Sequence, residues 1–197
     1  MLAATAVLLT LIFPPFYCFP LAFICLVPFS LCAIHRRMSL RYLLAYYLLG
    51  FLFFAGNLYW LAPVTVFGYL VLALYVGLYF PLYAFGVRRL VQHLRIPATL
   101  AVPIVWTAVE YVRCTYVQGG FPWFMLGNTL TPLPVLVQGA DLFGVWGVTF
   151  LIAMVNGAVV DLMRLRLRRA GRLNRQLVVW EGVTTATLVL WIAYGIF

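Results

Sequence analysis

From Tyr42 to Val87 the chain carries no charged side chain, and from Met1 to Ile34 it carries none either. A helix needs about 20 apolar residues to cross roughly 30 Å of hydrocarbon, so each of these runs is too long for a single crossing. Composition agrees: of 197 residues, 66% are hydrophobic and 9% are charged. Ordinary soluble domains carry roughly 25% charged residues. So few charges cannot cover the surface of a water-soluble fold of this size, and the solvent that suits the chain is a lipid bilayer. The same figures exclude a disordered tail, a disulfide scaffold and a nucleic-acid module.

Proline, glycine and asparagine divide the apolar runs. Pro14, Pro15, Pro20 and Pro28 turn the first run into a helical hairpin with arms near 1–13 and 20–34. A cluster of Asn, Pro, Thr and Gly between Asn57 and Gly68 splits the second run into spans near 40–61 and 67–87. Three more follow near 96–116, 139–163 and 177–197, with a loop signal at Gln118-Gly119-Gly120-Phe121-Pro122-Trp123. The expectation is an all-α polytopic transmembrane bundle of about seven spans, forming one transmembrane domain over 1–197.

The charges then orient it. All 13 basic residues are arginine, and the four acids are Glu110, Asp141, Asp161 and Glu181. Arg36, Arg37 and Arg41 fall between spans two and three. Arg88, Arg89 and Arg95 fall between spans four and five. Arg164, Arg166, Arg168, Arg169, Arg172 and Arg175 fall between spans six and seven. These are alternate loops, and the opposite loops hold no arginine. The positive-inside rule puts the basic loops in the cytoplasm, giving N-in and C-out. The net charge of +9 therefore reads as a topology signal with attraction to anionic membrane lipids, not as a nucleic-acid footprint.

Glu110 and Arg113 stand three apart within span five and share a helix face. Ionisable residues inside a span are expensive, and they are either paired or functional. Two readings stay open: an internal ion pair that fixes packing, or a polar anchor for a lipid headgroup or a loop. Arg113 lies near the outer end and has the reach to snorkel. Phe121, Pro122 and Trp123 follow two glycines in an outer loop, and Asn57 and Trp60 close span three. Tryptophan at such places forms interfacial belts, and asparagine in a span bonds to a neighbouring helix. Asp141 opens span six as a structural helix-start acid, with Gly144 and Gly147 allowing close contact; Asp161 and Glu181 are weaker candidates. Cys18, Cys25, Cys32 and Cys114 lack metal or redox spacing and read as small apolar residues. His35 and His93 flank basic loops as solvated side chains. No metal site and no cofactor is expected.

Several segments together resemble bacterial apolipoprotein N-acyltransferase. They are Gly120-Phe121-Pro122-Trp123 with Gly127, Leu142-Phe143-Gly144-Val145-Trp146-Gly147-Val148, Trp106-x-x-x-Glu110-x-x-Arg113, Asn57-x-x-Trp60, and Phe13-Pro14-Pro15 with Pro20. The resemblance covers essentially the whole chain. It implies an inner-membrane enzyme that moves an acyl chain from phospholipid to the N-terminal amine of a diacylglyceryl-cysteine lipoprotein, through a thioester on a cysteine. It also implies eight membrane helices, with a nitrilase-like domain bearing a Glu-Lys-Cys triad between the seventh and eighth, on the periplasmic side.

This sequence has no lysine, and its four cysteines match no part of that catalytic motif, so no catalytic residue is carried over. The expectation is the membrane part of such an enzyme, truncated or one half of a split system, and inert alone. Glu110, Arg113, Phe121, Pro122, Trp123, Asn57 and Trp60 are the residues expected to shape the outer, substrate-facing floor. Phospholipid and lipoprotein would be met through the absent catalytic domain. Two rivals from other classes are a non-enzymatic membrane scaffold for a separately encoded enzyme, such as a polyprenol-phosphate glycosyltransferase, and a small transporter.

Overall fold

The computed structural model describes residues 1–116, 119–167 and 175–196. The described chain is helical and forms an all-α membrane helical bundle. The helices are α1 (Leu2–Leu11), α2 (Val27–His35), α3 (Leu40–Asn57), α4 (Val66–Gly77), α5 (Tyr79–Arg88), α6 (Ala98–Thr115), α7 (Pro134–Val137), α8 (Ala140–Leu167) and α9 (Arg175–Ile196). Among the described residues, four helical stretches are long and apolar enough to cross a membrane: Leu40–Asn57, Val66–His93, Ala140–Arg166 and Val178–Ile196.

Helix boundaries differ from the sequence reading where proline decides. The second arm of the hairpin is not helical from residue 20: Phe19–Phe23 forms a 3₁₀ turn, and α2 starts at Val27 with a proline in its first turn. Proline lacks the N–H that a helix interior needs but fits a helix start, so Pro28 marks the entry. The expected span at 67–87 falls inside the apolar stretch Val66–His93, which α4 and α5 share, meeting at Leu78. Pro81 sits in the first turn of α5 and cannot donate back to Gly77, which is where α4 ends. A π-helical turn, Arg89–His93, prolongs α5. Within α8 the backbone breaks at Gly144, whose φ of 64° lies in the left-handed region.

The core is aromatic. Phe29 packs against Tyr46, Phe80 and Tyr83, and Trp106 meets Phe80 and Tyr83 edge-on. α6 and α8 lie against each other so closely that a Cβ on Gly157 would stand 2.3 Å from the Ala98 carbonyl oxygen. Buried polar side chains pin the irregular segments. Asn156 of α8 accepts from Leu26 N–H at 2.8 Å and donates to the Ala22 carbonyl at 2.8 Å. It thereby supplies bonds that a helix would have made internally through 22–26. By contrast α9 is largely exposed, held by Trp191, which donates to the Leu136 carbonyl at 2.8 Å.

The bundle has two unlike ends. At one, Arg88 donates to the carbonyls of Ala33, Ile34 and Arg36, tying the end of α5 to the end of α2. Asp161 of α8 accepts from Thr99 N–H at 2.9 Å and from its hydroxyl at 3.1 Å, capping α6, and pairs with Arg164 at 3.1 Å. These contacts bring Arg36, Arg88, Arg89, Arg95 and Arg164 to this basic end. Arg168, Arg169, Arg172 and Gln118 lie outside the described residues. At the opposite, aromatic end, Asn57 donates to Thr10 Oγ1 at 3.1 Å, joining the ends of α3 and α1.

Candidate functional site

The aromatic end is built around the segment that follows α6. The last two turns of α6 carry Glu110 and Arg113, which are 2% and 3% exposed. They do not pair with each other. The ion pair found among the described residues is Arg164–Asp161. Each instead turns to the loop.

Glu110 Oε1 accepts from Trp106 Nε1 and from Leu126 N–H, both at 2.9 Å. Its Oε2 accepts from Thr149 Oγ1 at 3.0 Å, and that hydroxyl oxygen accepts from Gly127 N–H at 2.9 Å. One carboxylate thus orders α6, the 3₁₀ turn Leu126–Leu130 and α8 together. Three donors converging on a buried carboxylate satisfy most of its lone pairs, the condition under which a buried charge is tolerated.

Arg113 Nη1 donates to the carbonyls of Phe121 at 2.9 Å and Trp123 at 2.6 Å. Its guanidinium lies 5.6 Å from the Phe54 ring centre and 6.0 Å from that of Phe121, within cation–π range. Far from snorkelling, it is enclosed. The loop turns back sharply, with Phe121 N–H donating to the Arg113 carbonyl at 3.0 Å. Gly120 makes this possible: its φ is +93°, and a Cβ there would stand 2.2 Å from the Cys114 carbonyl oxygen. Any other residue would open the turn.

Phe124 swings inward, with its ring 5.1 Å from Phe13 and 5.9 Å from Phe53. Beneath it, Leu9, Phe53, Phe80, Glu110 and Arg113 help to line a cavity of about 30 Å³. That is room for a single water beside two charged groups. Pro122 and Trp123 face outward, and Trp123 tilts against Trp60 with ring centres 5.1 Å apart.

The seven residues picked from sequence thus divide. Glu110, Arg113, Phe121 and Trp123 meet in one constellation, with Trp60 against its rim. Pro122 is carried on the same loop as an exposed residue, and Asn57 serves the α1–α3 junction. Thr149 and Asn156 lie outside those seven. Each is a polar side chain in an apolar span, the signal that had singled out Asn57. Asp161 is buried and caps α6; Asp141 is exposed at the start of α8. Cys114 donates weakly to the Phe121 carbonyl at 3.4 Å.

Fold and site define an all-α membrane bundle with a loop fixed against its aromatic end by buried charges. Residues 5–158 match the family model described as apolipoprotein N-acyltransferase N-terminal domain. An apolipoprotein N-acyltransferase of Rhodopirellula baltica is 32% identical over 208 residues, covering 95% of this chain and 36% of the relative. One of Geobacter metallireducens is 34% identical over 175 residues, covering 83% of this chain and 33% of the relative. One of Coxiella burnetii is 29% identical over 206 residues, covering 94% and 39%. The chain belongs to the apolipoprotein N-acyltransferase family, and it spans about a third of the length of these relatives.

Proposed function

We propose that this chain is the membrane domain of an acyltransferase that moves an acyl chain from phospholipid to the N-terminal amine of a diacylglyceryl-cysteine lipoprotein. In this reading it crosses the inner membrane about seven times, with the basic end in the cytoplasm and the aromatic end and C-terminus on the periplasmic side. It holds no catalytic residue, because an acyl-thioester mechanism with a Glu-Lys-Cys triad requires a lysine, and the sequence contains none.

The observation that carries the reading is the loop clamp in a chain of this family: Glu110 and Arg113 spend their charges on holding residues 121–126 as a fixed, aromatic-rimmed floor. Such a floor does two physical jobs. It holds a catalytic domain at headgroup depth, where both substrates stay embedded, and it keeps the approach to the acyl chain apolar. A site that must position an ester carbonyl beside a nucleophile within a few tenths of an ångström gains from a rigid base.

The test is reconstitution. The purified chain in phosphatidylethanolamine vesicles is given a synthetic diacylglyceryl lipopeptide, and N-acylation is read by mass spectrometry. No acylation is expected from the chain alone, and acylation is expected when it is joined to a family catalytic domain. Turnover by the chain alone, or a joined protein that folds but stays inactive, contradicts the reading.

A further inference from the structure

Away from the aromatic-end site, α5 and α6 leave a trough of about 440 Å³ on the bundle surface. Its walls include Leu82, Phe85, Ile104, Ala108 and Val112, and its one charged wall residue is Arg89. Leu82, Phe85, Ile104 and Val112 are 42–59% exposed, so no described helix covers the trough. It runs from the basic end, where Arg89 begins the π-helical turn, towards the aromatic end at Val112.

Two adjacent arginines have opposite fates here. The Arg88 guanidinium is used up on three carbonyls of the α2 end. Arg89 is exposed, and its side chain makes no hydrogen bond or ion pair among the described residues. Arg36, Arg37 and Arg95 are exposed at the same end. No acid lines the trough: Asp161 is committed to Arg164 and Thr99, Glu181 lies beside Asp161 on α9, and Glu110 is buried at the other end. An apolar trough that finishes in a guanidinium without a partner among the described residues, beside further exposed arginines, matches one kind of molecule. That is an amphiphile with a long apolar chain and an anionic head. Guanidinium binds phosphate oxygens through two parallel N–H bonds, and basic pockets between membrane helices hold anionic head groups.

We propose that the α5/α6 trough and Arg89 form a binding site for one anionic phospholipid of the leaflet at the basic end. Its phosphate lies on Arg89 and one acyl chain lies along Leu82, Phe85 and Ala108. The site rests on the bundle being membrane-embedded and is independent of acyl transfer, which the reading above assigns to the opposite end.

Native mass spectrometry of the detergent-purified chain, offered equal amounts of phosphatidylglycerol and phosphatidylcholine, tests it. One phosphatidylglycerol is expected to be retained over phosphatidylcholine by roughly fivefold, the ratio one arginine near a charged head group supplies. Arg89→Gln removes that preference, whereas Arg37→Gln, an equal loss of charge, keeps it. Ala108→Trp fills the trough and lowers retention of both lipids, so head and tail are tested separately. Circular dichroism and monodisperse elution establish that each variant is folded. Absence of a preference, or equal losses from Arg89→Gln and Arg37→Gln, overturns the site in favour of diffuse attraction.

Discussion

The aromatic end and the outer face of the basic end, beyond the committed Arg88 and Arg164, handle the same side chain in opposite ways. At the aromatic end a lone arginine, Arg113, is enclosed and committed to two loop carbonyls and two ring faces. At the basic end Arg36, Arg37, Arg89 and Arg95 lie on the surface. The first arrangement uses charge to shape backbone where water is scarce. The second leaves it exposed on the surface. Whether an arginine is structural in this protein follows from its depth and partners, not from its residue type.

The contrast can be broken most forcefully at Glu110. Glu110→Ala leaves the N–H groups of Trp106 and Leu126 and the Thr149 hydroxyl without their acceptor. An abandoned buried donor costs about 1–3 kcal/mol, so a loss on the order of 3 kcal/mol is expected, read by unfolding in mixed micelles. Glu110→Gln keeps an acceptor oxygen and should lose less. Next comes Arg113→Ala, which frees the Phe121 and Trp123 carbonyls. A loss of about 2 kcal/mol is expected, with faster amide exchange across residues 121–126 and unchanged exchange in α2 and α5. Trp123→Ala removes the ring contact with Trp60 at a half-exposed position. It should leave stability nearly unchanged yet reduce N-acylation when the chain is joined to a catalytic domain; full activity would remove Trp123 from the floor. Smallest of all, Arg37→Gln at the basic end should leave the unfolding midpoint unchanged, since surface changes away from buried features have little effect.

Much of this was legible beforehand because membrane solvation leaves a strong signature. The apolar runs follow from transfer energies alone, and the Glu110–Arg113 spacing announced a special face on α6. Helix starts were less legible. Pro28 and Pro81 were visible as residues, but whether a proline kinks, ends or begins a helix depends on what satisfies the freed carbonyls. At 22–26 that partner is Asn156, more than a hundred residues away in sequence. The partners of Glu110 were hidden for the same reason. A helix face can be computed from a period of 3.6, but which loop folds back onto it depends on Gly120, Thr149 and the break at Gly144 acting together. The choice between ion pair and loop anchor was thus open in the sequence and is decided by the contacts of α6.

In the proposed topology these two ends face opposite sides of the membrane, with the clamped loop on the periplasmic side. Single cysteines at exposed Thr131, on the aromatic end, and at exposed Arg37, on the basic end, test it directly. They are placed in a background with Cys18 and Cys114 replaced by serine. A membrane-impermeant maleimide is then applied to cells whose outer membrane alone is opened. Thr131→Cys is expected to label at once, and Arg37→Cys only after the inner membrane is breached. The reverse pattern, or equal labelling at both ends, would contradict the claim and take the aromatic floor away from the substrates assigned to it.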